Sequence, residues 1–297
     1  MITRFIYLFI LLGFCQIKTA AQSFRAGVVK VDITPENDQF LAGYKARKSN
    51  GVNDKIYHRI IILDDGKVQF VLVSSDFGKF DPSLYDKVAL EIEDKLGIAR
   101  EHFWWSVTHT HSAPEIGPPG LSGIFMPERY KQPVSTEYTE LVTKELIKGI
   151  IQARSRLAAA RIGVGWGYSQ ANINRRALDV NGNAHLGMNP DGPVDRRIGV
   201  VRVVNDTGIP MALIANYPIH GTVLGSQNLK ISGDVPGIVS EYVEEKIGAP
   251  LIFINGAAGN LAPIYSVYPN PIAGHLDEFK VLLGDKILDA NENISVD

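Results

Sequence analysis

The chain has 297 residues, 45% hydrophobic and 21% charged, with a formal net charge of -2, which describes an ordinary globular protein that can bury one large core or two modest ones. Its densest basic spots, Arg175-Arg176 and Arg196-Arg197, are isolated pairs. Nothing forms the basic stripe of a nucleic-acid binder, and that class is excluded.

Residues 1–21 place Arg4 before an apolar run from Phe5 to Cys15 and a small-residue exit at Thr19-Ala20-Ala21. This is the three-part pattern of a secretory signal peptide, cleaved near Ala21 and Gln22, and it predicts a secreted or periplasmic protein. Cys15 is the only cysteine, so the mature chain of residues 22–297 offers neither disulfide nor thiolate, and any metal must be held by nitrogen and oxygen.

Residues 24–35 read as a strand stopped by Pro35, and residues 57–76 as a hairpin turning at Asp65-Gly66. Asp81-Pro82 opens a helix in which Leu84, Val88, Ile92 and Leu96 recur every four residues before Gly97. "FWWSVTH" follows as a strand, giving a βαβ unit with His109 near the carboxyl end of its second strand, where open α/β sheets place ligands. Residues 116–133 form a long Pro/Gly loop, and a helix over residues 136–160 carries Tyr138, Leu141, Leu146, Ile150, Ala153 and Leu157 on one face. A strand at 161–168, a polar turn-rich segment at 172–195 and paired strands at 198–204 and 211–217 come next. A helix over 236–247 ends at Gly248, a buried strand runs into "NGAAGN", and a last helix carries Leu276, Phe279, Leu283 and Ile287. The fold predicted is α/β, a mixed and largely buried sheet with flanking helices in a single domain. No internal repeat is legible.

His109 and His111 stand two apart at the exit of a strand, where alternation would send both imidazoles to one side. Backbone hydrogen bonds would satisfy such a pair equally well. His220 follows an apolar strand and precedes Gly221, and Asp234 stands between Gly233 and a helix start, where an N-cap is its simplest role. These segments repeat one design, an apolar strand that delivers a polar residue to a glycine-marked turn, and together they could converge on one metal.

The ordered series "AGVVKVDITP", "THTHSAP", "NINRRA", "NPDGPVD", "IHGT", "SGDVPG" and "NGAAGNLAP" resembles the neutral/alkaline non-lysosomal ceramidases in their N-terminal catalytic domain. The resemblance covers essentially everything after the leader and implies a Zn2+-dependent hydrolase that cleaves the amide of N-acylsphingosine, with metal-activated water as nucleophile. It implies that His109 and His220 are zinc ligands and that His111 is their close catalytic neighbour. Arg175 would steady an oxyanion or form a surface ion pair, and Asp234 would act in catalysis or complete the metal shell, a place also open to Glu115 or Asp76. Asn172 and Asn174 would bind substrate hydroxyls or shape turns, and Gly256 would let backbone approach a ligand. At Ala262 the ceramidases carry a serine, which alanine cannot replace. The family also draws glutamate and tyrosine zinc ligands from well downstream, and only 34 residues follow Pro263, so the domain is expected to be incomplete at its C-terminus.

The expected partner is a small-molecule or lipid substrate, with peripheral membrane contact and no protein partner. A non-catalytic lipid- or glycan-binding relative of the same fold is the alternative. An amidohydrolase barrel would also use His-x-His, but no eightfold β/α alternation is present.

Overall fold

The computed structural model describes residues 24–264, 266–267 and 273–296. The leader read at residues 1–21 lies outside the described residues. The strands are β1 (Arg25–Asp32), β2 (Tyr57–Asp64), β3 (Gln69–Ser75), β4 (Phe103–Val107), β5 (Ala158–Tyr168), β6 (Asn172–Leu178), β7 (Ala184–Asn189), β8 (Arg197–Asn205), β9 (Pro210–Tyr217), β10 (Leu251–Asn255) and β11 (Leu261–Pro263). The helices are α1 (Pro82–Leu96), α2 (Leu121–Phe125), α3 (Thr136–Ser155), α4 (Asp234–Ile247) and α5 (Lys286–Glu292). An eight-stranded sheet runs in the order β10-β9-β8-β5-β1-β2-β3-β4, and β11-β6-β7 form a second, three-stranded one. Because β3–β4 and β9–β10 are parallel and the other ladders antiparallel, the sheet is mixed, as the sequence predicts.

Local chemistry sets the element ends. Asp81 accepts from the Ser83 amide at 2.9 Å to open α1, and Gly97, at φ 65°, closes it with a bond from its N–H to the Glu93 carbonyl. Ser135 caps α3 through the Tyr138 amide. The face α3 buries includes Tyr138, Val142, Leu146, Ile150 and Ala153, while Leu141 points to solvent. Its end is corrected from 160 to 155: Ala158 and Ala159 pair with Ala26 and Arg25 of β1, and this ladder overrides alanine's helix preference. The segment read as turns holds the β6–β7 hairpin.

The large sheet folds back on itself at the short β1–β5 ladder, so that β10 lies over β2, β3 and β4. Ala26, Ile61, Leu72, Val203, Ala212, Ile252 and Ile254 fill the space between the two halves. Outside them, α1 and α3 cover β1–β4, and α4 and α5 cover β8–β10. Each fully buried aliphatic side chain in these layers contributes about 1.5–3 kcal/mol.

The two halves share one connectivity. β1-β2-β3-α1-β4-α3 is matched by β5-β8-β9-α4-β10-α5, with α3 packed on β1 and β2 as α5 is on β5 and β8. The halves meet through antiparallel β1–β5 pairing, as a two-fold relation requires. The repeat absent from the sequence is therefore present in the topology. His109 leaves β4 of the first half and His220 leaves β9 of the second, so the two rings that meet come from different halves.

Candidate metal centre

After β4 the chain stays tied to the segment beyond β3: the Thr108 and His109 amides donate to the Ser75 and Phe77 carbonyls, both at 2.9 Å. His109 then turns at φ 63°, a conformation non-glycine residues adopt only under local constraint. Thr110 pairs with Gly221, and the His111 amide donates to the Gly221 carbonyl at 2.9 Å. A Cβ on Gly221 would come within 2.6 Å of the Thr110 backbone, so glycine there permits the close approach that carries His220 to the histidine pair. Asn255, at the end of β10, donates to the Thr108 carbonyl at 3.0 Å and the Ile219 carbonyl at 2.8 Å, locking the two strand exits together.

The outcome is a cluster of three imidazoles. One ring nitrogen each from His109, His111 and His220 lies within 4.8 Å of the others, close enough to hold a metal ion. Among the described residues no carboxylate joins them. His109 Nδ1 lies 2.5 Å from the Gly78 carbonyl and His220 Nδ1 2.9 Å from the Ala258 carbonyl. A carbonyl only accepts, so both Nδ1 atoms carry the proton, and in the neutral rings both Nε2 atoms are bare lone pairs. Those two Nε2 atoms face each other at 3.2 Å. Two lone pairs so placed need a shared cation, and a carbonyl partner on the far nitrogen is the usual arrangement for metal-bound histidine. The residues thus fit a metal.

Burial keeps all three rings neutral. It depresses His109, pushes His220 down to about 4 and His111 to about 2, and in each the nearby charge of Arg175 adds to the effect. His111 differs from the other two: its Nδ1 is buried without a hydrogen-bond partner, against Gly43 and the edge of Tyr44. Burial, then the charge of Asp234, raises the Tyr44 phenol to about 12.

The remaining predicted residues divide. Arg175 reaches the cluster electrostatically while its Nε and Nη2 donate to the Gly259 carbonyl. Asp234 is fully buried at φ 52° and accepts from the Val223, Leu224 and Val235 amides, bracing the turn after His220. Asp76 pairs with Arg59 at 2.8 Å, and Glu115 lies 3.6 Å from Arg129. Asn172 donates to the Asp195 and Pro218 carbonyls and Asn174 to the Pro193 carbonyl, so both amides brace backbone. Gly256 packs on Pro218, and Ala262 is buried in β11 opposite Ile173. Sequence reasoning missed Gly43, Tyr44, Arg47 and Gly78; all surround the cluster, and none carries a local motif.

The family model for the neutral/alkaline non-lysosomal ceramidase N-terminal region matches residues 24–254. The chain belongs to the neutral/alkaline non-lysosomal ceramidase family. Neutral ceramidase of Pseudomonas aeruginosa is 27% identical over 258 residues, which are 83% of this chain and 38% of that protein. Neutral ceramidase A of Dictyostelium discoideum is 27% identical over 238 residues, 75% of this chain and 32% of that protein. The crystal structure of the Pseudomonas neutral ceramidase superposes with a TM-score of 0.77 at 23% identity, covering 92% of this chain and 45% of that one. A ceramidase complexed with C2 gives 0.76 at 22% identity, covering 92% and 44%. The chain thus spans less than half the length of these ceramidases and shares their fold over that part.

Proposed function

We propose that this chain is an exported, zinc-dependent amide hydrolase of ceramidase type, acting on N-acylsphingosine or a related N-acyl lipid. The observation that carries the reading is the pair of Nε2 lone pairs of His109 and His220, 3.2 Å apart, each ring fixed by a carbonyl behind it. His109 and His220 would hold the ion. A bound Zn2+ supplies Lewis acidity, polarising a carbonyl and lowering the pKa of water toward about 7.

The rest falls to the chain's own groups. His111 keeps a neutral ring within the cluster and would accept a hydrogen bond from the attacking water and orient it, the water's proton passing to the leaving amine nitrogen as the C–N bond breaks. Arg175, whose charge already reaches all three rings, would stabilise negative charge on the carbonyl oxygen. Export is supported by the leader-like residues 1–21. Family membership supports a ceramide-like amide as substrate.

The test is release of fatty acid from N-acylsphingosine by the purified chain, with and without a chelator. Release that stops on chelation and returns with zinc is expected. Lipid binding without turnover, indifferent to chelation, would overturn the enzyme reading in favour of a binding protein.

A further inference from the structure

Arg47 is 7% exposed, yet no carboxylate lies within ion-pairing distance of it among the described residues. Burying an unpaired guanidinium is costly unless hydrogen bonds compensate it. All four of those bonds go to backbone carbonyls. Nη2 donates to Ala42 at 2.9 Å and to His111 at 2.6 Å; Nη1 donates to Asn228 at 2.6 Å and to Gly225 at 3.3 Å. The guanidinium also lies over the Tyr44 ring, 4.8 Å from its centroid, and Tyr44 meets the His111 ring edge-on at 5.2 Å.

One cation therefore ties three segments distant in sequence: the loop between β1 and β2, the turn after β4 and the turn after β9. His111 needs such support more than its neighbours do. His109 and His220 are each fixed by a carbonyl on Nδ1, whereas the His111 ring makes no hydrogen bond through Nδ1. Its orientation rests on its backbone and on the walls formed by Gly43 and Tyr44.

We infer that Arg47 is a positioning residue for His111, clamping its carbonyl and, through Tyr44, its ring. The inference rests on the proposed role of His111 in orienting the attacking water. A planar donor that serves four carbonyls is not replaced by lysine, whose ammonium is a compact point charge. Misplacing a catalytic group by about 1 Å costs on the order of 100-fold in rate.

The experiment compares Arg47→Met and Arg47→Lys in the zinc-loaded chain. Both should keep the wild-type zinc content and KM while kcat falls about 10- to 100-fold, with lysine the milder. Arg47→Met added to His111→Ala should lower kcat no further, because the two act through one group. Losses that multiply in the double variant, or a kcat unchanged in Arg47→Met, would overturn the inference. The ring-proton signals of the histidines in the metal-free chain give a readout independent of turnover. In Arg47→Met the His111 signal should shift or broaden while those of His109 and His220 stay. If the wild type hydrolyses nothing, the enzyme reading fails and this signal decides the positioning role: all three signals unmoved would overturn it.

Discussion

Gly43 lies so close to His111 that a Cβ built on it would sit 2.3 Å from Nδ1 and 2.6 Å from Cγ of the imidazole. Gly43 also has φ 89°, so any side chain there is strained as well as obstructed. Gly97 makes a matched control, with φ 65° and nothing within 4 Å of its Cβ position. Both Gly43→Ala and Gly97→Ala should lose about 1 kcal/mol or more of stability from the backbone term. Only Gly43→Ala should also lower kcat, by displacing the His111 ring. Thermal unfolding with steady-state kinetics checks both; equal activity in the two variants would contradict it.

Beneath the site, Arg59 and Asp76 form an ion pair at 2.8 Å with side chains 1% and 0% exposed, and Arg59 Nε also reaches Glu244 at 2.6 Å. Removing the Asp76 charge leaves Arg59 paired with Glu244 alone and its Nη1 without a charged acceptor, which costs about 1–3 kcal/mol. Asp76→Asn should lose stability of that order in urea unfolding. Glu91→Gln, which breaks the exposed Lys95–Glu91 pair on α1, should change it by no more than about 0.5 kcal/mol.

His58 predicts an acid-labile contribution. Ser75 Oγ accepts from Trp105 Nε1 at 2.8 Å and lies 2.6 Å from His58 Nδ1, while His58 Nε2 lies 3.0 Å from the Val142 carbonyl. That order fixes a neutral ring protonated at Nε2, and burial pushes its pKa from 6.5 down to about 4. Between those values the unfolded chain binds the extra proton. The His58 contribution is therefore full above pH 6.5 and falls by about 3 kcal/mol as pH drops to 4. Across that window the stability lead of wild type over His58→Gln should shrink by about this amount. Parallel stability curves would contradict the assignment.

Asp234 is expected to act on structure. Removing its carboxylate leaves the Val223, Leu224 and Val235 amides buried without an acceptor. Each such loss costs about 1–3 kcal/mol, so Asp234→Ala should be destabilised by at least about 2 kcal/mol in chemical unfolding. A variant as stable as wild type would show that these bonds carry no weight.

Much of the frame was legible because its signals are local. Asp81-Pro82 and Gly97 mark α1, Asp65-Gly66 marks the β2–β3 turn, and the apolar run of β4 delivers His109 to a sheet edge. The convergence of the histidines was legible for a partly mistaken reason. Alternation along a strand was expected to bring His109 and His111 together, but β4 ends at Val107 and the two rings meet through a turn at φ 63°. The contacts that hold the site were not legible, because they link residues far apart: Arg47 with Asn228, Gly78 with His109, Asn255 with Thr108. The β6–β7 hairpin escaped because its exposed residues, such as Leu178 and Leu186, give no buried alternation to read. The two-fold repeat escaped because it survives in connectivity and not in residue pattern.

The most direct test of the centre is zinc binding by equilibrium dialysis and elemental analysis, on wild type and on His109→Ala, His220→Ala and His111→Ala. About one zinc per chain in wild type is predicted, lost in the first two variants and retained in His111→Ala. No zinc on a folded wild-type chain, or zinc retained in His109→Ala or in His220→Ala, would contradict the account.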